Sequence, residues 1–447
     1  MPPRVATQYN LLTDPIGLSL KRLTIPTILG MFSVLMFNLV DTFFISLIGT
    51  QPLAAISFTF PVVFAVHCVT IGLGIALSTS IGRLLGKKEH QSASQFASHA
   101  ILLSFILIMA IAGLGLWQLN PLFTLLGAKE STLPLIDSYM RPWFLFVPFL
   151  ATSMVGNSVM KATGDTKSPA IILIISGIIN GCLDPMFIFG IGIFPQMGIQ
   201  GAAIASGISW VFAFLGTFFV LIKKEDMIGR IYLGNLLSHW KHLLCISTPI
   251  SCSMALTPIY SAILMRFLAE YGEASVAAYG VAQRVESILT IVVTSLASAL
   301  TPFMAQNLGA KQHQRAFTAL FHAIYFAFGF QFLVFISMIP LSTSIANLFS
   351  DDTQVQKLLW FYLIVIPLSY GFQAIVMLVI NSLNAQYRSL SAFYWNLVRL
   401  FVFLLPCVWI GGKIYATQGV FIGIGIANTL VGISAYFYAR NMRHCNS

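Results

Sequence analysis

Fourteen carboxylate residues occur in this 447-residue chain, and only Asp41, Asp184 and Glu286 fall deep inside long apolar runs. An ionisable group at membrane depth costs about 2.5–3.5 kcal/mol on insertion scales, so each of the three marks a function by default. Asn180 and Asp184 are four residues apart and share one face of a helix, with Ser176 a turn earlier. Asn38 and Asp41 stand three apart on the first apolar run. The two polar faces are expected to converge, with Tyr139, Asn157 and Ser206 completing the network. Two carboxylates in a poorly hydrated setting cannot both ionise cheaply, so they should titrate as a pair. Such a pair suits a site that takes up a proton on one side of a membrane and releases it on the other. Carboxylate, amide and hydroxyl oxygens suit sodium equally, and the residue types leave both ions open.

Other residues with chemical potential are fewer. Arg284 and Arg399 are the two cations within apolar runs. Arg284 is two residues from Glu286 and points elsewhere on a helix, so Arg399 is the expected ion-pair partner of Glu286. Pro26 precedes Asp41 by fifteen residues and offers a hinge, since proline removes a backbone hydrogen bond and clashes with the carbonyl four residues back. Pro249, its counterpart in the second half, has no acid after it. His67, His99 and His322 read as core or interface residues. The six cysteines show no CxxC spacing, so neither a disulfide framework nor a metal site is expected. No HExxH, GxSxG or Walker motif is present, which argues against an enzyme or an ATP-driven pump, and no cofactor is expected beyond the coupling ion.

The elements that must hold these residues are membrane helices. The chain is 57% hydrophobic and 9% charged with a mean hydropathy of +0.85, where a soluble domain is about 25% charged. Apolar runs near 23–47, 53–82, 94–118, 138–160, 168–193, 198–222, 243–268, 275–306, 316–347, 358–384, 389–411 and 417–439 predict twelve spans. Alternating ten-residue strands of a barrel are absent. The net charge of +10 belongs to loops at the membrane surface, not to a nucleic-acid interface. Seventeen of the 24 Lys and Arg fall on the termini and on the loops that share their side, which predicts both termini in the cytoplasm.

The chain also repeats itself. At an offset of 223, residues 49–93 match 272–316 with 14 identities in 45 positions, including LGKKEHQSA against LGAKQHQRA. Further on, Lys167-Ser168 against Arg388-Ser389 suggests an offset near 221. Six spans per repeat return the chain to the same side, so the halves have parallel topology about an axis along the membrane normal, the layout of rocking transporters. The expected lobes are 1–222 and 242–447, joined by a linker at 223–241. Asp41 maps onto Leu264, so one half carries an acid where its twin is apolar.

VDTFFISLIGTQPLAA (40–55), KATGDTKSP (161–169), GIQGAAIAS (198–206), VAAYGVAQRVES (276–287) and TPFMAQNLGAKQHQRA (301–316) give the chain a resemblance to the MATE (multidrug and toxic compound extrusion) transporters. Asp41 with Asn180 and Asp184 is most similar to the DinF-like branch; spans seven and ten lack the acids of NorM-like members. The resemblance implies an all-α protein of two six-helix lobes in the cell inner membrane, acting as a monomer. It implies an antiporter that exports organic cationic or amphipathic drugs against protons flowing inward, with Asp41, Asp184 and Asn180 as the coupling site and Pro26 as the bending point. Sodium coupling and a flippase for lipid-linked sugars are the alternatives; the three deep acids against two deep cations favour cationic cargo.

Overall fold

The computed structural model describes residues 10–445 other than Ile193, and no strand occurs among them. The helices are α1 (Ile16–Ile48), α2 (Thr50–Gly86), α3 (His90–Trp117), a short α4 (Leu119–Leu125), α5 (Leu133–Thr163), α6 (Lys167–Phe189) and α7 (Ile199–Lys223). They continue as α8 (Leu233–Ala269), α9 (Glu273–Leu289), α10 (Ile291–Gly309), α11 (His313–Phe349), α12 (Thr353–Val365), α13 (Tyr370–Ala385), α14 (Ser389–Val398) and α15 (Leu405–Cys445). Among the described residues eleven segments are long and apolar enough to cross a membrane, and the last of them, Ser389–Arg443, has 55 residues. It turns at Tyr415 and Ala416, whose dihedrals are not helical, and so supplies two crossings. The chain is therefore a twelve-span, all-α membrane protein.

Three spans are less regular than the apolar runs suggest. Span eight breaks at Thr290, whose hydroxyl bonds back to the Glu286 carbonyl at 2.8 Å, a contact that bends helices. Span ten passes through a short 3₁₀ turn at Pro367–Ser369, where proline withholds its N–H. Span eleven widens into a π-helical turn over Arg399–Leu404.

The internal repeat persists in the backbone. Lys88 and Lys311, 223 apart, both adopt positive φ (64° and 61°), and the flanking turns make the same bonds: Glu89 N to Leu84 O, Gln312 N to Asn307 O. The turn before α6 repeats in the same way. Asp165 N bonds Met160 O and Arg388 N bonds Leu383 O, so the offset is still 223 there rather than 221. Helix α14 then starts one residue earlier than α6 relative to that turn, which is what blurred the sequence register. The offset shrinks only later: Gly198 (φ 54°, ψ −130°) and Ala416 (φ 50°, ψ −133°) open spans six and twelve in one conformation, 218 residues apart.

Two compact units result, residues 1–13 with 25–251 and residues 14–24 with 252–447. In the first, α5 packs against α2, α3 and α7, with Trp143, Phe144 and Trp210 in its core. In the second, Tyr279, Tyr362 and Phe421 pack edge to face. Helix α1 runs through Pro26, and both it and α8 pass from one unit to the other within three residues of a proline.

The segment after α7 is tied to the first unit. Ser98 accepts from Gly229 N at 2.8 Å, His99 and His239 share an Nδ1–Nδ1 hydrogen bond of 2.9 Å, and Trp240 donates to the His99 carbonyl. At the α5–α6 turn, Lys224 donates to Asp165 at 2.5 Å and to Ser168 at 2.9 Å. Burial pushes the Asp165 carboxyl up, but these bonds and those from Ser168 outweigh it and hold the group below its usual range. A depressed carboxyl stabilises the fold fully above the ordinary carboxylate range and loses that contribution as pH falls through it. Asp165→Asn is expected to lower the thermal midpoint in detergent by roughly one or two degrees at pH 7 and to flatten the loss between pH 5 and pH 3. Lys224 is half-exposed, so about 1 kcal/mol is the ceiling. An unchanged acid limb in the variant would remove this pair from the account.

Candidate functional site

The two residues of the i, i+4 pair on α6 are fully buried. Asn180 Nδ2 donates to Asp184 Oδ1 at 3.1 Å and to Ser206 Oγ on α7 at 3.2 Å. One turn earlier Ser176 donates to the Ser209 carbonyl, and Ser209 bonds back to Ser206 O, so a ladder of short polar residues stitches α6 to α7. Small residues let α1 approach the same face. A methyl on Gly30 would meet Ala170 and Leu173 of α6, and one on Gly181 would meet Val40 at 3.9 Å. Both contacts run in the same direction along the two helices, as first and fifth spans must, and they bring Asp41 beside Asp184. The two carboxylates interact electrostatically, and both act on the buried phenol of Tyr139.

Acceptors outnumber donors in this cluster. Asp41 Oδ1, Asp184 Oδ2 and Asn180 Oδ1 are buried and receive no hydrogen bond from the protein. A buried acceptor without a donor costs about 1–3 kcal/mol. Three of them together make a site that is completed by a proton on a carboxylate or by a small cation.

Two expected members stand elsewhere. Asn38 is exposed, and no side-chain hydrogen bond of it occurs among the described residues; only its carbonyl is used, by Thr42 at 2.7 Å. Three residues on a helix is a rotation of 300°, so Asn38 lies 60° from Asp41, and that angle carries it past the α6 contact. Asn157 is buried but accepts from Thr217 at 3.3 Å, in a second α5–α7 cluster that also holds Ser153. Ser206 and Tyr139 are where the network needs them.

In the second unit the expected Glu286–Arg399 ion pair is absent among the described residues. Glu286 Oε2 accepts from Tyr362 at 2.6 Å and Oε1 from Gln373 at 3.3 Å, both on the tenth span. Tyr260, Tyr279 and Gln283 border this cluster. Arg399 lies within electrostatic reach of Glu286 without touching it. Arg284 is exposed on the other face of α9. With both oxygens served, Glu286 differs from the acids of the first unit, which keep oxygens free. Tyr362 and Gln373 sit in apolar runs at no special spacing, so nothing in the sequence distinguished them from span filler. Of the histidines, His99 is buried in the linker contact, His67 is half-buried and His322 is exposed.

The MatE family model matches residues 26–186 and 249–410, which are the two repeats. The chain is 42% identical to a FAD transporter of Shewanella oneidensis over 97% of both chains. It is 24% identical to the multidrug export protein MepA of Staphylococcus aureus over 96% of this chain and 94% of that one. Among solved structures, the bent form of the Vibrio cholerae MATE transporter VcmN superposes with a TM-score of 0.92 at 30% identity, covering 96% of this chain and 98% of that one.

Proposed function

Since the chain belongs to the MATE family of transporters, we propose that it is a proton-driven exporter whose cargo is FAD or a closely similar aromatic dinucleotide. The coupling half of this reading rests on one observation: two neighbouring acids, Asp41 and Asp184, each leave a buried carboxylate oxygen without a donor. A proton taken up there neutralises a charge that the membrane interior disfavours, and its release on the other side restores it. The cargo half rests on the 42% identity with the FAD transporter along the whole chain. A second reading, export of amphipathic organic cations, draws on MepA and on the acids at depth. Exposed aromatics such as Phe60 would serve such cations through their ring faces. Pro26 is the proposed bending point of α1, biased by the charge state of Asp41 further along the same helix.

The test is uptake of FAD and, separately, of a fluorescent organic cation into proteoliposomes, with proton and sodium gradients imposed one at a time. Two pH units supply about 2.7 kcal/mol per proton, enough for roughly hundredfold accumulation with one proton per cargo. An acidic lumen should drive FAD uptake and a protonophore should collapse it. Uptake driven by sodium alone at constant pH would overturn proton coupling, and dye uptake without FAD uptake would favour the second reading.

A further inference from the structure

Arg399 stands in the eleventh span at the start of a π-helical turn, a backbone irregularity that clusters at functional sites. A guanidinium at that depth is costly unless something answers its charge. The expected answer, Glu286, spends both oxygens on Tyr362 and Gln373. Among the described residues Arg399 makes no ion pair, and no side-chain acceptor lies within hydrogen-bond distance of it. One turn earlier on the same face, the indole N–H of Trp395 is likewise buried without an acceptor, its ring held edge-on by Tyr438 at 5.5 Å. Next to it Asn396 donates to Ser253 and fastens this stretch to α8. The arrangement is the converse of that in the first unit. There, acceptors lack donors; here, a fixed cation and a neutral donor lack an acceptor.

We propose that Arg399 and the Trp395 N–H form a recognition site for the phosphate oxygens of the cargo. A guanidinium meets phosphate in a planar two-bond geometry that an ammonium cannot copy. An acceptor arriving with the cargo would satisfy both groups at once, and the π-turn sets the pitch at which they project. This inference rests on the dinucleotide reading above, and it adds the chemical group that is recognised and the residues that recognise it. It also separates the two chemistries by unit: proton exchange on α1 and α6, anion recognition at the end of α14 and the start of the π-helical turn that follows it.

The test measures binding of FAD and of riboflavin, which lacks phosphate, to the purified transporter by quenching of flavin fluorescence. The variants are Arg399→Gln, Arg399→Lys and Trp395→Phe, each checked for monodisperse elution. Arg399→Gln should weaken FAD about tenfold or more and leave riboflavin unchanged. Arg399→Lys should recover part of the loss, and Trp395→Phe, which keeps the ring, should cost FAD about threefold. If wild type binds FAD and Arg399→Gln binds it equally well, or if FAD and riboflavin weaken together, Arg399 is a structural charge and the inference fails while the cargo reading stands. If wild type binds neither flavin, both fall.

Discussion

Asp41→Asn is expected to abolish gradient-driven transport while the protein still folds, inserts and elutes as wild type does. The substitution keeps the shape of the side chain, exchanges one carboxylate oxygen for an amide donor as a protonated carboxyl would present, and removes the titration. Everything around Asp41 points to that property. Its Oδ1 has no donor, a second carboxylate, Asp184, interacts with it electrostatically, and Tyr139 adds a buried phenol to the same cluster. The counterpart position in the second repeat is Leu264, fully buried in an apolar core. Packing alone is therefore satisfied by a hydrocarbon at this point of the fold, and the acid must answer to something else. Uptake driven by a pH gradient should fall at least a hundredfold, while downhill exchange of cargo across the membrane at equal pH should be largely kept. Wild-type accumulation in the variant would remove Asp41 from coupling.

Gly419→Leu is expected to prevent accumulation of folded protein, and Gly201→Leu to do the same from the other unit. A side chain begun at Gly201 would lie 2.5 Å from the Phe187 carbonyl oxygen and 2.6 Å from its carbon. At Gly419 it would run into the Gly411 carbonyl, and at Gly411 into that of Gly419. These obstacles are backbone atoms, which cannot swing aside as a side chain does. Both glycines stand three residues after the positive-φ residues Gly198 and Ala416, so they are one close approach repeated 218 residues apart. Helices in lipid are held by such contacts because burial from water no longer drives association. Forcing them open should cost more than about 4 kcal/mol, at the upper end for single substitutions. Gly113→Leu and Gly280→Leu, where nothing lies within 4 Å, serve as controls. Expression followed by fluorescence-detected size exclusion reads the result directly, and normal elution of Gly419→Leu would mean that the two helices can part without loss.

What could be read from the residues alone divides along a physical line. Pairings within one helix follow from spacing, and the Asn180–Asp184 bond is of that kind. Pairings between helices depend on the rotation and slide of each helix about its axis, which composition does not encode. Asn38 and Asp41 were expected to act together, and a rotation of 60° separates them. Asn157 is polar, buried and at a suitable depth, yet Thr217 claims it. Spacing matches Glu286 to Arg399 as the deep arginine free to meet it, whereas Tyr362 and Gln373 of the tenth span hold its oxygens. Neither Tyr362 nor Gln373 carries charge, so hydropathy passed over both. The repeat was legible where it keeps its register and blurred where α14 begins one residue early. Twelve spans were visible because length and apolarity suffice for that, whereas the interruption at Thr290 has no proline beside it and leaves no compositional trace; the π-helical turn at Arg399–Leu404 does have one, Pro406, which withholds an N–H from the Val402 carbonyl inside the turn.

Residues 14–24 build the second unit, and their counterparts at the 223-residue offset, 237–247, build the first. The opening segment of each repeat is thus lent to the other half. Arg315 bonds the Asp14 carbonyl, so the loan at the start of the chain is secured by a named contact. His239 and Trp240 secure the reciprocal one. During synthesis the first unit is complete only once residue 251 has left the ribosome, while the second already has its segment 14–24 made long before the rest of it. Neither repeat is a self-sufficient protein: the duplication has become an exchange of arms, and cutting the chain at the middle of the linker would leave each fragment holding a part that belongs to its partner.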